Sequence, residues 1–178
     1  HALRPAWTRC QAGQVWEWDG VRFEVLHPQP PQESLSKRPK PNEVSCVLRV
    51  ASQGSGTKGG RQGSALLAGD IEAAQELALV QSGLSPVDVL LVPHHGSKTS
   101  STQAFLEALR PRWGLLQAGY RNRYGHPAAE VVARYQASGI ALADSPRCGA
   151  ATWRSSAPEQ LQCERTLRQR YWQHRIPH

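Results

Sequence analysis

Three side chains of the stretch Leu66–Ser97 could do chemistry together. Asp70 follows Gly69 at the end of one short apolar run, Ala65–Ala68, and His94 and His95 follow Pro93 at the end of another, Val87–Val92. Neutral imidazole and carboxylate are both metal ligands, and imidazole also titrates near neutral pH. Successive side chains at a strand end point in different directions, so one of the two histidines is expected to share a metal with Asp70 while the other faces a substrate. The plainer alternative for Asp70 is a helix N-cap. Ser97, Thr99, Ser100 and Ser101 follow at once and offer hydroxyls and backbone N–H groups for an anion. His126 arrives on a later loop beside Arg121, Asn122, Arg123 and Tyr124, and two guanidiniums, an amide and an aromatic ring suit a phosphodiester backbone.

These residues need a scaffold that brings strand ends to one edge. Apolar runs this short, closed by Gly69 and Pro93, read as strands covered on both faces. Between them Ile71–Val80 reads as a helix with Ile71, Ala74, Leu77 and Ala78 on one stripe. A strand–helix–strand unit makes the two strands parallel neighbours with a right-handed crossover, and open α/β sheets bind ligands at the carboxyl ends of such strands.

Before this unit, Gln14–Trp18 and Val21–Leu26 flank an Asp19-Gly20 turn and predict a hairpin with Val15, Val21, Phe23 and Val25 facing inward. His27 reads as a strand-end residue. Gln29–Pro41 is an exposed loop, Ser45–Val50 a strand, and Ser52–Gly63 a low-complexity hairpin loop without the GK[ST] ending of a P-loop. After the unit, Ser100–Arg110 reads as a helix capped by its hydroxyls and Trp113–Ala118 as a strand. Pro127 opens a helix through Ser138, and Ile140–Ala143 and Gly149–Arg154 read as a last pair of short strands. The chain divides into residues 1–155, a domain portion, and residues 156–178, a basic, partly ordered tail.

Composition bounds the partners. The chain has 178 residues with a net charge of +7, so a polyanionic partner is as plausible as a merely solvated basic surface. Mean hydropathy is −0.51, and no apolar run is long enough to span a bilayer. Four cysteines, Cys10, Cys46, Cys148 and Cys163, lack zinc-finger spacing. They fit two disulfides, most simply Cys10 with Cys46 and Cys148 with Cys163, or four inert thiols. No GxSxG elbow supports a serine triad from Ser97, His94 and Asp70, and no cysteine lies in these loops to serve as a nucleophile.

In order, NEVSCVL, GD, PHHGSKTSS and AGYRNRYGHP resemble the C-terminal half of a metallo-β-lactamase-fold domain, more narrowly the one at the C-terminus of ComEC-type competence proteins. The similarity spans about Gln14 to Trp153. It implies an α/β fold, an αββα sandwich, and a metal-dependent hydrolase or nuclease cleaving phosphodiesters of incoming DNA, single-stranded or duplex. Two divalent cations, Zn or Mn, are implied, with Asp70 bridging them and His95 as the late histidine ligand. His94 and His126 are implied as catalytic or substrate-facing groups, with Ser97, Ser100, Arg121, Asn122, Arg123 and Tyr124 on the substrate rim. The resemblance also implies a parent polypeptide in the bacterial inner membrane, with its channel portion as partner and this domain outside the cytoplasm.

The fold's main metal motif, HxHxDH or HxDxDH, is absent, since none of His1, His27, His94, His95, His126, His174 and His178 lies in such a run. With no methionine either, the chain is expected to be a piece truncated on its N-terminal side. As such it would be inactive alone and would leave one sheet face apolar and uncovered. Alternatives are a phosphoester hydrolase of the same fold with a non-nucleic substrate, or a non-catalytic DNA-guiding module.

Overall fold

A computed structural model describes residues 8–30, 39–53, 63–169 and 171. In chain order the elements are β1 (Val15–Trp18), β2 (Val21–His27), β3 (Val47–Ser52), β4 (Ser64–Leu67), α1 (Ala73–Gln81), β5 (Val89–Leu91), α2 (Gln103–Leu109), β6 (Trp113–Leu116), α3 (Ala129–Ala137), β7 (Ala141–Asp144), α4 (Ser145–Cys148), β8 (Ala151–Trp153), β9 (Leu161–Cys163) and α5 (Glu164–Leu167). The fold is mixed α/β. Seven strands form one sheet in sequence order, antiparallel from β1 to β4 and parallel from β4 to β7.

The hairpin forms where the sequence places it. Asp19 and Gly20 both take positive φ, 50° and 73°, as a tight two-residue turn requires. The β3–β4 connection lies mostly outside the described residues, as do residues 31–38 of the Gln29–Pro41 loop, but Ser52 N–H donating to Gly63 O at 2.9 Å closes the flanking ladder.

Each parallel crossover moves one strand along the sheet, so the three long helices fall on the same face. There Leu66 pairs with Leu90, Leu90 with Gly114 and Gly114 with Leu142. Leu79 of α1, Phe105, Leu106 and Leu109 of α2, and Val131 and Tyr135 of α3 share their core. Gly114 is required by this packing, because a Cβ there would lie 3.1 Å from the Tyr135 ring.

The opposite face is apolar from strand to strand. One row runs Val25, Leu48, Leu67, Leu91, Leu115, Ala143, and the next runs Trp16, Phe23, Val50, Ala65, Val89, Trp113, Ala141. Leu67 and Trp16 are 39% and 44% exposed. The C-terminal piece reaches this face where the Trp113 and Trp153 indoles both donate to Pro158 O, and again at Gly63, where a Cβ would lie 2.6 Å from Ser155 Cβ.

Several expectations are corrected. Val15 is exposed, because its partner across the hairpin is Glu24 and not an apolar residue. The inward side of α1 carries Glu76 and Leu79, whereas Leu77 is 52% exposed. A buried carboxylate disguised the stripe. Helix α2 starts at Gln103, with the Thr102 hydroxyl accepting the Phe105 N–H, and Ser100 and Ser101 precede it as buried irregular backbone. Pro127 precedes α3, whose N-cap is Ala128. The last two predicted strands do not pair with each other: β7 closes the main sheet beside β6, and β8 pairs with β9 in a separate ribbon. The stretch after Ser155 therefore holds β9 and α5. Disulfides join Cys10 to Cys46 and Cys148 to Cys163.

Candidate functional site

The carboxyl ends of β4, β5 and β6 turn into three loops that meet. The first is Gly69-Asp70. Gly69 has φ 58°, and a Cβ there would lie 3.0 Å from Cys46 O, so glycine lets the turn pass close to β3. Asp70 N–H donates to Ser45 Oγ at 3.2 Å, and Gly69 O accepts the His94 N–H at 2.9 Å. Asp70 is not the cap of α1; that role falls to Glu72, whose N–H donates to Gln75 Oε1 at 3.2 Å in a capping box. The Asp70 side chain is left for other work.

The second loop carries both histidines in left-handed backbone, φ 49° for His94 and 54° for His95. Such φ values cost energy for residues with a Cβ, and consecutive cases mark a turn held by its surroundings. The turn sends the rings different ways. His95 Nδ1 lies 2.7 Å from Gln117 O, and since a carbonyl only accepts, Nδ1 carries the proton. Nε2 is then the unprotonated nitrogen, and it lies 3.5 Å from Asp70 Oδ1 with both side chains about half-exposed. His94 turns its Nδ1 toward Glu72 Oε1, 3.4 Å away.

The hydroxyls that follow point inward. Ser97 and Ser100 are 6% and 1% exposed. Ser100 Oγ donates to Pro93 O and Ser97 O, and Ser97 Oγ meets Thr99 Oγ1 at 3.1 Å. These two predicted rim residues brace the histidine turn, and of the residues from Ser97 to Ser101 only Lys98 and Thr99 are exposed.

The third loop is pinned to the second. Gly96 has φ 76°, and a Cβ there would lie 2.8 Å from Pro127 Cβ, while Ala128 N–H donates to Gly96 O at 2.9 Å. His126 is thereby brought to 6.0 Å from His94, ring centre to ring centre. Burial first, then the neighbouring His94 and His95, hold the His126 imidazole below its ordinary value. Asn122 organises this loop from within. Its Oδ1 accepts the Tyr124 and His126 N–H groups, and its Nδ2 donates to Gly119 O and His126 O. Arg121 lies over the Tyr120 ring at 5.2 Å and Arg123 over Tyr124 at 4.9 Å, both guanidiniums exposed. A cleft of about 400 Å³ opens here, walled by His95, Gln117, Gly119, Asn122, Tyr124 and His126. A larger one, about 590 Å³, lies by Glu107, Arg110 and Ser138, away from every strand-end residue named above.

Asp70 and His95 thus converge as two donors with the second imidazole nitrogen anchored to a carbonyl, the arrangement that orients a metal-ligating histidine. They fit one edge of a cation site; among the described residues no cluster of three or more His, Cys, Asp or Glu closes it. Sequence reasoning missed Glu72 and Asn42, although the Glu72-x-x-Gln75 spacing was a legible capping signal. No described helix is long and apolar enough to cross a membrane.

No family model matches the chain. It is 39% identical over 141 residues to the competence protein ComA of Neisseria gonorrhoeae, an overlap of 78% of this chain and 18% of that protein. It is 35% identical over 127 residues to recombination protein 2 of Haemophilus influenzae, 71% of this chain and 14% of that one. It is 33% identical over 144 residues to ComE operon protein 3 of Bacillus subtilis, 80% of this chain and 17% of that one. The chain spans less than a fifth of the length of each of these relatives. One of the three is named as a competence protein and another as a recombination protein.

Proposed function

We propose that this strand-end rim acts on the phosphodiester backbone of incoming DNA, as part of a longer competence protein of the ComEC type with a metallo-β-lactamase-like hydrolase domain outside the cytoplasm. The observation that carries the reading is the His95 ring, anchored through Nδ1 to Gln117 O with Nε2 3.5 Å from Asp70 Oδ1. Asp70 and His95 are the residues that would hold a divalent cation, zinc or manganese, at this edge; the remaining donors are not among the described residues. When bound, such cations supply Lewis acidity for attack of water on a phosphodiester. His126 lines the cleft with the His94 ring 6.0 Å from its own, and these imidazoles can hold or move a proton; burial and the neighbouring His94 and His95 lower the affinity of His126 for its proton. Arg121 and Arg123 supply phosphate contacts, and Tyr124, 66% exposed, supplies a stacking face.

Calorimetry of the chain with manganese or zinc tests the cation edge. Weak binding lost in Asp70→Ala and His95→Ala is expected, and binding indifferent to both substitutions overturns it. In the full-length parent, Asp70→Ala is expected to abolish cleavage of single-stranded DNA. Retained cleavage refutes its role. A parent that cleaves only a small phosphodiester points to a non-nucleic substrate, and one that binds DNA without any cleavage is a guiding module.

A further inference from the structure

The segment Asn42–Ser45 enters the site from the β2–β3 connection. Ser45 takes the Asp70 N–H, and Asn42 reaches further, its Nδ2 donating to Glu72 Oε1 at 3.3 Å. The same oxygen lies 3.4 Å from His94 Nδ1. That nitrogen is buried, and among the described residues it has no hydrogen-bond partner of standard geometry. The carboxylate of Glu72 is therefore shared between an amide that fixes it and an imidazole that needs it.

We propose that Glu72 is a positioning residue for His94: it holds the ring as the Nδ1–H tautomer and thereby turns an unprotonated Nε2 to the rim, with Asn42 fixing the carboxylate. The purpose assigned to that nitrogen rests on the phosphodiester reading above; the tautomer does not. A buried ring nitrogen next to a carboxylate oxygen is favourable only when it carries a proton, since a lone pair there would face negative charge. The backbone leaves the ring little choice of direction. His94 is held at φ 49°, and its N–H donates to Gly69 O at 2.9 Å. The arrangement mirrors that of His95, whose Nδ1 donates to Gln117 O. Adjacent rings thus present their Nε2 atoms, one by way of a carbonyl and one by way of a carboxylate.

The test is long-range proton–nitrogen NMR of the nitrogen-15-labelled chain at about pH 8.5, above the ordinary imidazole range, with His94 assigned by loss of its signals in His94→Gln. The Nδ1–H pattern is expected for His94, against the Nε2–H form that predominates for histidine in water. Glu72→Gln retains an acceptor and should keep the pattern. Glu72→Asp still caps α1 but shortens the reach, and it should shift the ring toward Nε2–H. Asn42→Ala leaves the cap untouched and should produce a partial shift. A wild-type ring in the Nε2–H form, or an Nδ1–H pattern unmoved in Glu72→Asp, overturns the proposal, and neither outcome needs a catalytic assay. In the full-length parent, Glu72→Asp should lower kcat at least tenfold with little change in KM, and Glu72→Gln should recover most of it. If the tautomer shifts as stated while no variant of the parent cleaves DNA, positioning stands and the hydrolytic reading falls.

Discussion

Glu76 and Ser101 meet in the interior, the Glu76 Oε1 accepting the Ser101 N–H at 2.5 Å while Oε2 accepts the Thr102 N–H at 2.7 Å. A carboxylate on α1 thus satisfies the entry to α2. Helix α3 closes the same knot: Tyr135 OH lies 3.2 Å from Ser101 Oγ, and the Arg134 guanidinium donates to Ser100 O and Ser101 O. Ser101 sits at φ 57°, a conformation a residue with a Cβ holds only under constraint. Three helices therefore converge on the backbone directly behind the His94–His95 turn.

Burial pushes the Glu76 carboxyl up from 4.5, against two backbone N–H groups and Arg134 that pull it down. A group whose folded value is raised contributes stability that is full below its unfolded value and is lost as pH rises through the folded value. Urea unfolding of the wild type and Glu76→Gln should therefore show the wild-type advantage shrinking as pH climbs from 4.5 toward neutrality. A difference that does not vary with pH contradicts the raised value. Glu76→Ala leaves two buried donors unpaired and should cost about 2–5 kcal/mol near pH 4.5.

Gly96 and Gly125 separate packing from backbone strain. Both have positive φ, 76° and 67°, but a Cβ on Gly96 meets Pro127 Cβ at 2.8 Å whereas one on Gly125 meets nothing within 4 Å. Gly125→Ala should cost about 1–2 kcal/mol from conformation alone. Gly96→Ala should cost about 1–3 kcal/mol more, because the second and third loops must part. Equal midpoints for the two variants in denaturant titrations argue against the contact as the joint between those loops.

Asn122 and Arg123 are neighbours with different work. Arg123 is exposed and lies over Tyr124, so Arg123→Ala should weaken DNA binding and reduce the salt dependence of the affinity by roughly one phosphate contact. Asn122 spends both ends of its amide on its own loop, so Asn122→Ala should weaken binding by misplacing Tyr124 and His126 while leaving the salt slope unchanged. Filter binding of a single-stranded oligonucleotide across a salt series distinguishes them. Identical slopes for Arg123→Ala and the wild type would remove Arg123 from the phosphate contacts.

The parallel unit and the order of its loops were legible because short apolar runs closed by Gly69 and Pro93 have few other uses, and because a crossover leaves strand ends on one edge. The meeting of Asp70 with His95 follows from that edge. What was not legible is which polar residues turn inward. Glu76 and Ser100 look like surface in a periodicity argument; Glu76 is buried because backbone donors from a distant segment wait for it, and Ser100 because the Pro93 and Ser97 carbonyls of its own turn do. Asn122 reads as a ligand-binding amide for the same reason, since its partners lie within four residues but only after the loop has closed. The β8–β9 ribbon was missed because its second strand, Leu161–Cys163, is too short to show a period, and the Cys148–Cys163 link was the stronger signal that this stretch is folded.

The apolar rows on the sheet face away from the helices yield the last prediction. Alternation along a strand normally sends polar residues to a solvated face, yet here Leu48, Leu67, Leu91 and Leu115 stand side by side across four strands, with Phe23, Val50 and Ala65 beside them. The helices do not cover them, because they pack on the Leu66–Leu90 side. An apolar surface continuous over so many strands is a site of association. Sedimentation velocity of the chain by itself should show concentration-dependent self-association. Leu67→Lys should reduce it, at a stability cost of about 0.5 kcal/mol or less because that side chain is already 39% exposed. Leu77→Lys is the control, since Leu77 is more exposed, at 52%, but lies on α1 away from this face. A chain that stays monomeric at every concentration, or that responds equally to both substitutions, would show that the rows are not the surface through which copies meet.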